Sequence, residues 1–351
     1  MVIRTSKHAY ISNSLLLSDS VFMQNSIRVG IAGYGNLGRG VETAIHKNPD
    51  MQLVGIFTRR SPSSVSPCFA ETQVYSIDEL LSDFSNKIDV LILCGGSKDD
   101  LPQQGPIFAS QFNTVDSFDT HARIPEYFAA VDAPATAHQK TCLISIGWDP
   151  GMFSINRLLG EALLPDGETY TFWGKGLSQG HSDAIRRVAG VKAGVQYTIP
   201  STDAIEQVRS GARPELATKD KHHRDCYVVL EDGADAATVE NTIVTMPDYF
   251  ADYNTTVNFI SEETLQKDHQ RMPHGGFVIR SGNTSAEQSQ VMEFSLKLES
   301  NPEFTASVLV AYARACHRLN QSQQYGAKTA FDVAPALLSI KTSEQLRKEL
   351  L

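Results

Sequence analysis

The sequence predicts an α/β fold in which a doubly wound, mostly parallel sheet is followed by a second, α+β domain. Three observations carry this. Apolar strand-like runs alternate with helical stretches from residue 27 to 149, the order expected of parallel strands joined by crossover helices. The first run leads straight into the turn Gly33-x-Gly35-x-x-Gly38. The alternation ends near Pro150, beyond which the strand-like segments read as those of a different sheet.

Residues 29–32 form the first expected strand, and Val41, Ala44 and Ile45 mark one face of the helix after the glycines. Strand, glycine loop and helix in this order are the context of a dinucleotide-binding Rossmann loop. Gly33 allows the tight turn, Gly35 lets the backbone approach a pyrophosphate, and Gly38 lets helix and strand pack closely. Tyr34, Asn36 and Leu37 fill the loop, and the helix N-terminus offers free N–H groups to phosphate. An ordinary glycine turn is the plainer alternative, and the flanking elements argue against it. The second run, residues 53–57, ends Phe57-Thr58-Arg59-Arg60 without a carboxylate. An NAD site wants an acidic residue here for the ribose 2′-hydroxyl. Two guanidiniums and a hydroxyl suit a 2′-phosphate instead, so the expected cofactor is NADP.

Further runs follow at 90–94, 114–115 and 142–146, with helical stretches at 106–112 and 124–140. Ligands of doubly wound sheets lie beyond the carboxyl ends of the strands. Those ends carry Cys94-Gly95-Gly96-Ser97, then Asp116-Ser117-Phe118-Asp119, then Gly147-Trp148-Asp149-Pro150-Gly151. Any one of them reads as a simple loop; three in register with a phosphate loop point to a cleft. Asp119 and Asp149 follow adjacent strands, and paired carboxylates there can bind an ammonium group and take its proton.

The 351 residues are 41% hydrophobic and 20% charged, enough for a sizeable core and more than one domain. A net charge of −9 without a long basic stretch argues against nucleic acid as a main partner. Cys68, Cys94, Cys142, Cys226 and Cys316 are widely spaced, with no CxxC, which fits reduced thiols better than disulfides or zinc. No apolar run approaches the roughly eighteen residues of a membrane span. Residues 1–25 carry only the short patch Leu15-Leu16-Leu17 and read as a flexible extension, with Met23 as an alternative start.

The expected boundaries place the cofactor domain at 26–150, the substrate domain at 151–302 and a helical segment at 303–351 that returns to the first domain. In the second domain, strand-like runs lie at 170–173, 226–230 and 256–260, with antiparallel pairing the natural expectation. Residues 172–187 combine glycines at 174, 176 and 180 with Gln179, His181, Ser182 and Asp183. That mixture of donors and acceptors suits an amino-acid-like ligand; a glycine loop before a helix starting near Ser182 is the plainer alternative. His222-His223-Arg224 and Pro273-His274-Gly275-Gly276 are further polar clusters. Neighbouring histidines cannot readily share one metal, so no metal is expected, and Arg224 reads best as a carboxylate clamp.

Together these segments resemble the meso-diaminopimelate dehydrogenase family. The resemblance runs from about residue 27 to about residue 340, through blocks at 33–38, 57–60, 147–157, 172–187, 245–250, 272–276 and 301–306. Residues 231–237 and 283–290 depart from it and read as surface loops. The resemblance implies a cytoplasmic homodimer on the lysine and diaminopimelate biosynthetic route, using NADP to deaminate the D-centre of meso-2,6-diaminopimelate. It implies a cofactor set of Gly33 to Gly38, Thr58, Arg59, Arg60, Cys94, Gly95, Gly96, Ser97, Ser117, Phe118, Asp119, Gly147, Trp148, Asp149 and Pro150. It implies a substrate set of Asp119, Asp149, Trp173, Gln179, Gly180, His181, Ser182, Asp183, Thr198, Arg224, His274 and Asn301, with Asp119 and Asp149 as the catalytic pair; which of the two is the base stays open. Two rivals are a related reductase or semialdehyde enzyme and an NADP-binding sensor. A semialdehyde enzyme wants a cysteine in a polar, cation-rich loop, which neither Cys94 nor Cys142 offers. A sensor has no use for paired carboxylates.

Overall fold

The computed structural model describes residues 26–351; the extension expected over 1–25, and Met23 as a start, lie outside them. The chain divides into two units, one running to Met152 and resuming over Pro302–Leu351, the other Phe153–Asn301.

The first unit is built on seven strands: β1 (Ile27–Ala32), β2 (Met51–Thr58), β3 (Val74–Ser76), β4 (Val90–Leu93), β5 (Thr114–Asp116), β6 (Thr141–Leu143) and β14 (Gly326–Lys328). Their spatial order is β14-β6-β5-β4-β1-β2-β3, and every pair is parallel. The chain winds one way through β1-β2-β3 and the other through β4-β5-β6, so the switch point lies between β1 and β4. The helix Asn36–His46 buries Val41, Ala44 and Ile45, the face its periodicity predicts. Phe57, Phe108, Phe112, Phe118, Tyr127 and Ile144 belong to one buried hydrophobic cluster of this unit.

Several boundaries differ from expectation. The run 142–146 stops being a strand at Leu143 because Ser145 turns into the left-handed region (φ 57). The helix expected at 106–112 is Leu101–Ala109, with Pro106 inside it. The helix expected over 124–140 ends at Ala137, before Gln139 at φ 56. The long helix Asn301–Gln321 matches the pattern after Pro302, but the edge strand β14 beyond it is too short to show a period. Arg314 on that helix is buried and pairs with Asp50 at 2.5 Å.

The second unit holds two sheets rather than one. β7 (Asp166–Trp173), β12 (His274–Ser285) and β13 (Gln288–Leu298) form one in the order β13-β12-β7. β8 (Gly176–Leu177), β9 (Val191–Pro200), β10 (His222–Leu230) and β11 (Asn254–Phe259) form the other, ordered β11-β10-β9-β8. Pairing is not uniformly antiparallel: β10 and β11 run parallel. Residues 283–290 are not a loop but the end of a hairpin, with Asn283 opposite Ser289 and Ser285 opposite Gln288. Residues 231–237 include the start of a helix, Ala236–Val244, capped by Asp235.

Candidate active site

In the first unit the glycine loop has the conformation its spacing predicts. Gly33 sits at φ +94, a region that only glycine enters freely. A Cβ on Gly38 would collide with the carbonyl oxygen of Gly33, whereas one on Gly35 would meet nothing within 4 Å. The backbone therefore closes on itself at Gly38 and opens outward at Gly35, which leads into the helix N-terminus at Asn36 and Leu37. Gly33, Tyr34, Gly35, Thr58, Arg59 and Arg60 line a cleft of about 340 Å³, with Cys94, Gly95 and Asp100 opposite. Thr58 Oγ1 accepts from the Arg60 N–H at 3.2 Å, and Arg60 Nη2 donates to the Tyr34 carbonyl at 2.5 Å. Arg59 is largely exposed and pairs with Asp100 at 2.6 Å. An open cleft at a helix N-terminus, two arginines and no acid at the end of β2 fit NADP.

Two carboxylates around this cleft escape a sequence reading. Asp100 accepts from the Gly96 N–H at 2.9 Å and fixes the turn after β4. Glu42 is fully buried and accepts from the Tyr34 hydroxyl and, at 2.9 Å, from the Cys68 N–H. Desolvation alone would raise the Glu42 carboxyl; the hydrogen bonds outweigh it and hold the group below the usual range. An acid inside a helix gives no sign in the sequence that its face is buried.

The remaining strand-end residues of the cofactor set lie on neighbouring loops rather than in the cleft wall. Ser97 Oγ accepts from the Asp119 N–H at 3.1 Å, tying the loop after β4 to the loop after β5. Ser117 is half-buried and Asp119 exposed there, while Phe118 between them is 1% exposed and stacks on Tyr127 at 4.2 Å. The Phe118 ring therefore belongs to the core, and only its backbone is left for a ligand. Gly147, Trp148, Asp149 and Pro150 form the turn after β6, closed by the Met152 N–H donating to the Gly147 carbonyl at 3.0 Å. Cys94 is pushed upward by burial and Cys142 up to about 12 by the same cause, so neither supplies the thiolate of a semialdehyde enzyme.

In the second unit Thr198 and Arg224 stand opposite each other on β9 and β10, and Gly176 of β8 stands opposite Thr198. His274 packs against Gly176 so closely that a Cβ there would strike its ring. Sheet register thus gathers Gly176, Thr198 and Arg224, and His274 of the other sheet packs on Gly176, so four separate stretches of sequence contribute. Arg224 is 6% exposed. Its Nη1 donates to Thr198 Oγ1, and its guanidinium lies 3.9 Å from the ring centre of Tyr253. Its Nε is buried without a hydrogen-bond partner. No carboxylate within 4.0 Å pairs with it among the described residues. Burial pulls its pKa below the usual guanidinium range, yet a guanidinium remains charged at any working pH.

His222, 2% exposed, is a supporting residue that its neighbours conceal in the sequence. Its Nε2 accepts from the Trp173 N–H at 2.8 Å and its ring stacks on the indole at 5.2 Å. Burial first, then the charges of Arg224 and Lys221, depress its pKa to about 3. His181 is depressed to about 4 by burial and by Arg224, and its Nδ1 lies 2.8 Å from Ser178 Oγ. Both imidazoles are neutral at pH 7.

Other expected substrate residues take different parts. The helix begins at Gln179, after Ser178, not near Ser182. Ser182 Oγ donates to the Ser178 carbonyl at 2.6 Å and accepts from the Gln196 N–H at 2.9 Å, so its hydroxyl is committed to the fold. Asp183 is exposed and pairs with Arg186 one turn on. Gln179 and Gly180 are exposed at the helix start, and the Asn301 N–H donates to the Met272 carbonyl at 3.0 Å. Among the described residues no group of three or more His, Cys, Asp or Glu gathers as a metal site.

A family model described as the diaminopimelic acid dehydrogenase C-terminal domain matches residues 147–300. The chain is 65% identical over 327 residues to the meso-diaminopimelate D-dehydrogenase of Lysinibacillus sphaericus, covering 93% of this chain and 100% of that protein. It matches the solved structure of C. glutamicum DAP dehydrogenase in complex with DAP at 48% identity and a TM-score of 0.87, covering 93% of this chain and 100% of that one. An engineered D-amino acid dehydrogenase bound to NADP+ matches at 46% identity with a TM-score of 0.82 and the same coverage. High identity over nearly the whole length, on the same fold, means that the chain belongs to the meso-diaminopimelate D-dehydrogenase family.

Proposed function

We infer that the protein catalyses the reversible, NADP-dependent oxidative deamination of meso-2,6-diaminopimelate at its D-centre, giving L-2-amino-6-oxopimelate and ammonia. The observation that carries the substrate reading is Arg224. A buried guanidinium without a carboxylate is unfavourable unless a ligand brings the counter-charge. Diaminopimelate has a carboxylate at each end, and the distal one suits Arg224 with Thr198 beside it; His274 and Asn301 are further contacts in this assignment.

Bound NADP supplies the hydride acceptor. Thr58, Arg59 and Arg60 would hold its 2′-phosphate, and the loop from Gly33 to Gly38 would hold its pyrophosphate. The proton traffic belongs to the chain. An ammonium nitrogen has no lone pair to assist C–H cleavage, so it must first lose a proton. Asp119 and Asp149 bind that ammonium group, and one of them takes the proton. Loss of the hydride from Cα leaves an iminium; water adds to its carbon and passes one proton to the amine nitrogen, and ammonia departs as the hydroxyl proton and the proton held by the carboxylate go to solvent.

The test is direct. Protein, NADP and meso-diaminopimelate are mixed, and reduced cofactor and ammonia are measured together. Equimolar appearance of both is expected; no turnover with the meso isomer alongside turnover of another amino acid would overturn the assignment. We place the enzyme in the cytoplasm as a homodimer, its five free thiols suiting a reducing compartment.

A further inference from the structure

We propose that Asp116 is a positioning residue that sets the conformation of both loops carrying Asp119 and Asp149. Asp116 ends β5 and is 1% exposed, with no cation paired to it among the described residues. Its Oδ1 accepts from the Phe118 N–H at 2.9 Å, directly before Asp119. The same oxygen accepts from the Ser145 N–H at 3.1 Å, four residues before Asp149. Its backbone carbonyl accepts from the Ile146 N–H at 2.8 Å. Its Oδ2 accepts from the Tyr127 hydroxyl at 2.8 Å, which leaves Oδ1 facing the two loops.

One oxygen thus bridges the turn after β5 and the turn after β6. The bridge falls where β6 has stopped pairing and Ser145 adopts a left-handed conformation. No ladder holds these amides, so the carboxylate replaces the ladder. A buried carboxylate without a cation is costly when its only service is packing. Its position at the root of both loops explains why a carboxylate stands here rather than a serine or a leucine. Asp116 does not line the cofactor cleft, and it acts through Asp119 and Asp149.

The proposal rests on the assignment of those two residues to the substrate ammonium, and the experiment separates the two. Asp119→Asn and Asp149→Asn test the assignment alone; wild-type turnover in both would sink it, and the Asp116 role with it. Given their loss, Asp116→Ala is expected to lower kcat about 30- to 100-fold, the scale of a misplaced reacting group, with the Kd for NADP changed less than about twofold. Asp116→Asn keeps one oxygen that accepts both N–H groups and should recover kcat to within about threefold of wild type. Tyr127→Phe removes only the bond on Oδ2 and should lower the melting temperature while leaving kcat within about twofold. Adding Asp116→Ala to Asp119→Asn/Asp149→Asn should cost less than about threefold more, since residues acting as one unit are non-additive. Wild-type kcat in Asp116→Ala, full additivity, or an equal kcat loss in Tyr127→Phe would each overturn the proposal. If Asp116→Ala does not fold, Asp116→Glu, which displaces the acceptor by one methylene, takes its place with the same expectations.

Discussion

At the residue scale, Arg224 and Asp116 are both charged groups that water barely reaches, and each makes a measurable prediction. Arg224→Met should reduce kcat/KM on meso-diaminopimelate by roughly 30- to several-thousand-fold, the range of removing one partner of a buried charge pair at 2–5 kcal/mol. Simple D-amino acids, which lack the distal carboxylate, should be affected far less. Equal loss on both substrate types would show that Arg224 holds the fold rather than the ligand. Asp116 titrates at about 6, raised by burial against the hydrogen bonds from Phe118, Tyr127 and Ser145. Because its folded pKa lies above the unfolded one, the favourable contribution is complete at low pH and is lost as pH rises through about 6. Denaturant unfolding of Asp116→Asn should therefore compare better with wild type at pH 8 than at pH 4.5, by roughly 2 kcal/mol. A difference independent of pH would remove the titration from the account. Arg224 stands out in the sequence as a lone arginine in a polar cluster. The parts played by Tyr253 and His222 do not, because ring stacking and burial depend on residues brought in from distant stretches of the chain.

At the element scale, loop chemistry is readable where glycine spacing demands one conformation. Gly38→Ala places a methyl group against the Gly33 carbonyl, and backbone cannot yield as a flexible side chain can. Overpacking of this kind costs about 1–3 kcal/mol, and the loop that must shift is the one facing the cofactor. The Kd for NADP, measured by titration of protein fluorescence, should rise at least about tenfold; an unchanged Kd would show that the loop does not touch the cofactor. Arg59→Ala/Arg60→Ala tests the end of β2. NADP binding should weaken at least about 100-fold while NAD binding moves little, since each of the two charged hydrogen bonds lost is worth about 1.5–3 kcal/mol. Equal weakening of both would assign the arginines to the loop alone. The short elements were the hard ones to read. β6 looks longer than it is because Ile144 and Ile146 are apolar and buried beyond its end, on either side of the left-handed Ser145. Ser182 looks like a ligand group because sequence does not show that Ser178 and Gln196 have already taken its hydroxyl.

At the scale of the whole molecule, the second unit presents an apolar face that its own core leaves uncovered. Leu158, Leu159 and Leu163 of the helix Phe153–Leu163 are 47%, 46% and 62% exposed, with Val291 of β13 at 40%. A second copy of the chain is the expected cover. Sedimentation should show a dimer, and Leu159→Glu/Leu163→Glu should shift it toward monomer; a monomeric wild type would refute this. Local order along the chain was enough to establish the doubly wound sheet, the conformation of the glycine loop and the use of NADP. Those features arise from periodicity, glycine geometry and charge within short windows, and the family resemblance extended them to a substrate. Tertiary structure alone decided that the second unit carries two sheets, that Thr198 and Arg224 meet across strands with Gly176 and His274 packed beside them, and that Asp116 joins two loops. Each of these depends on strand register and burial, which bring together residues tens of positions apart, and no local pattern records which partners will meet.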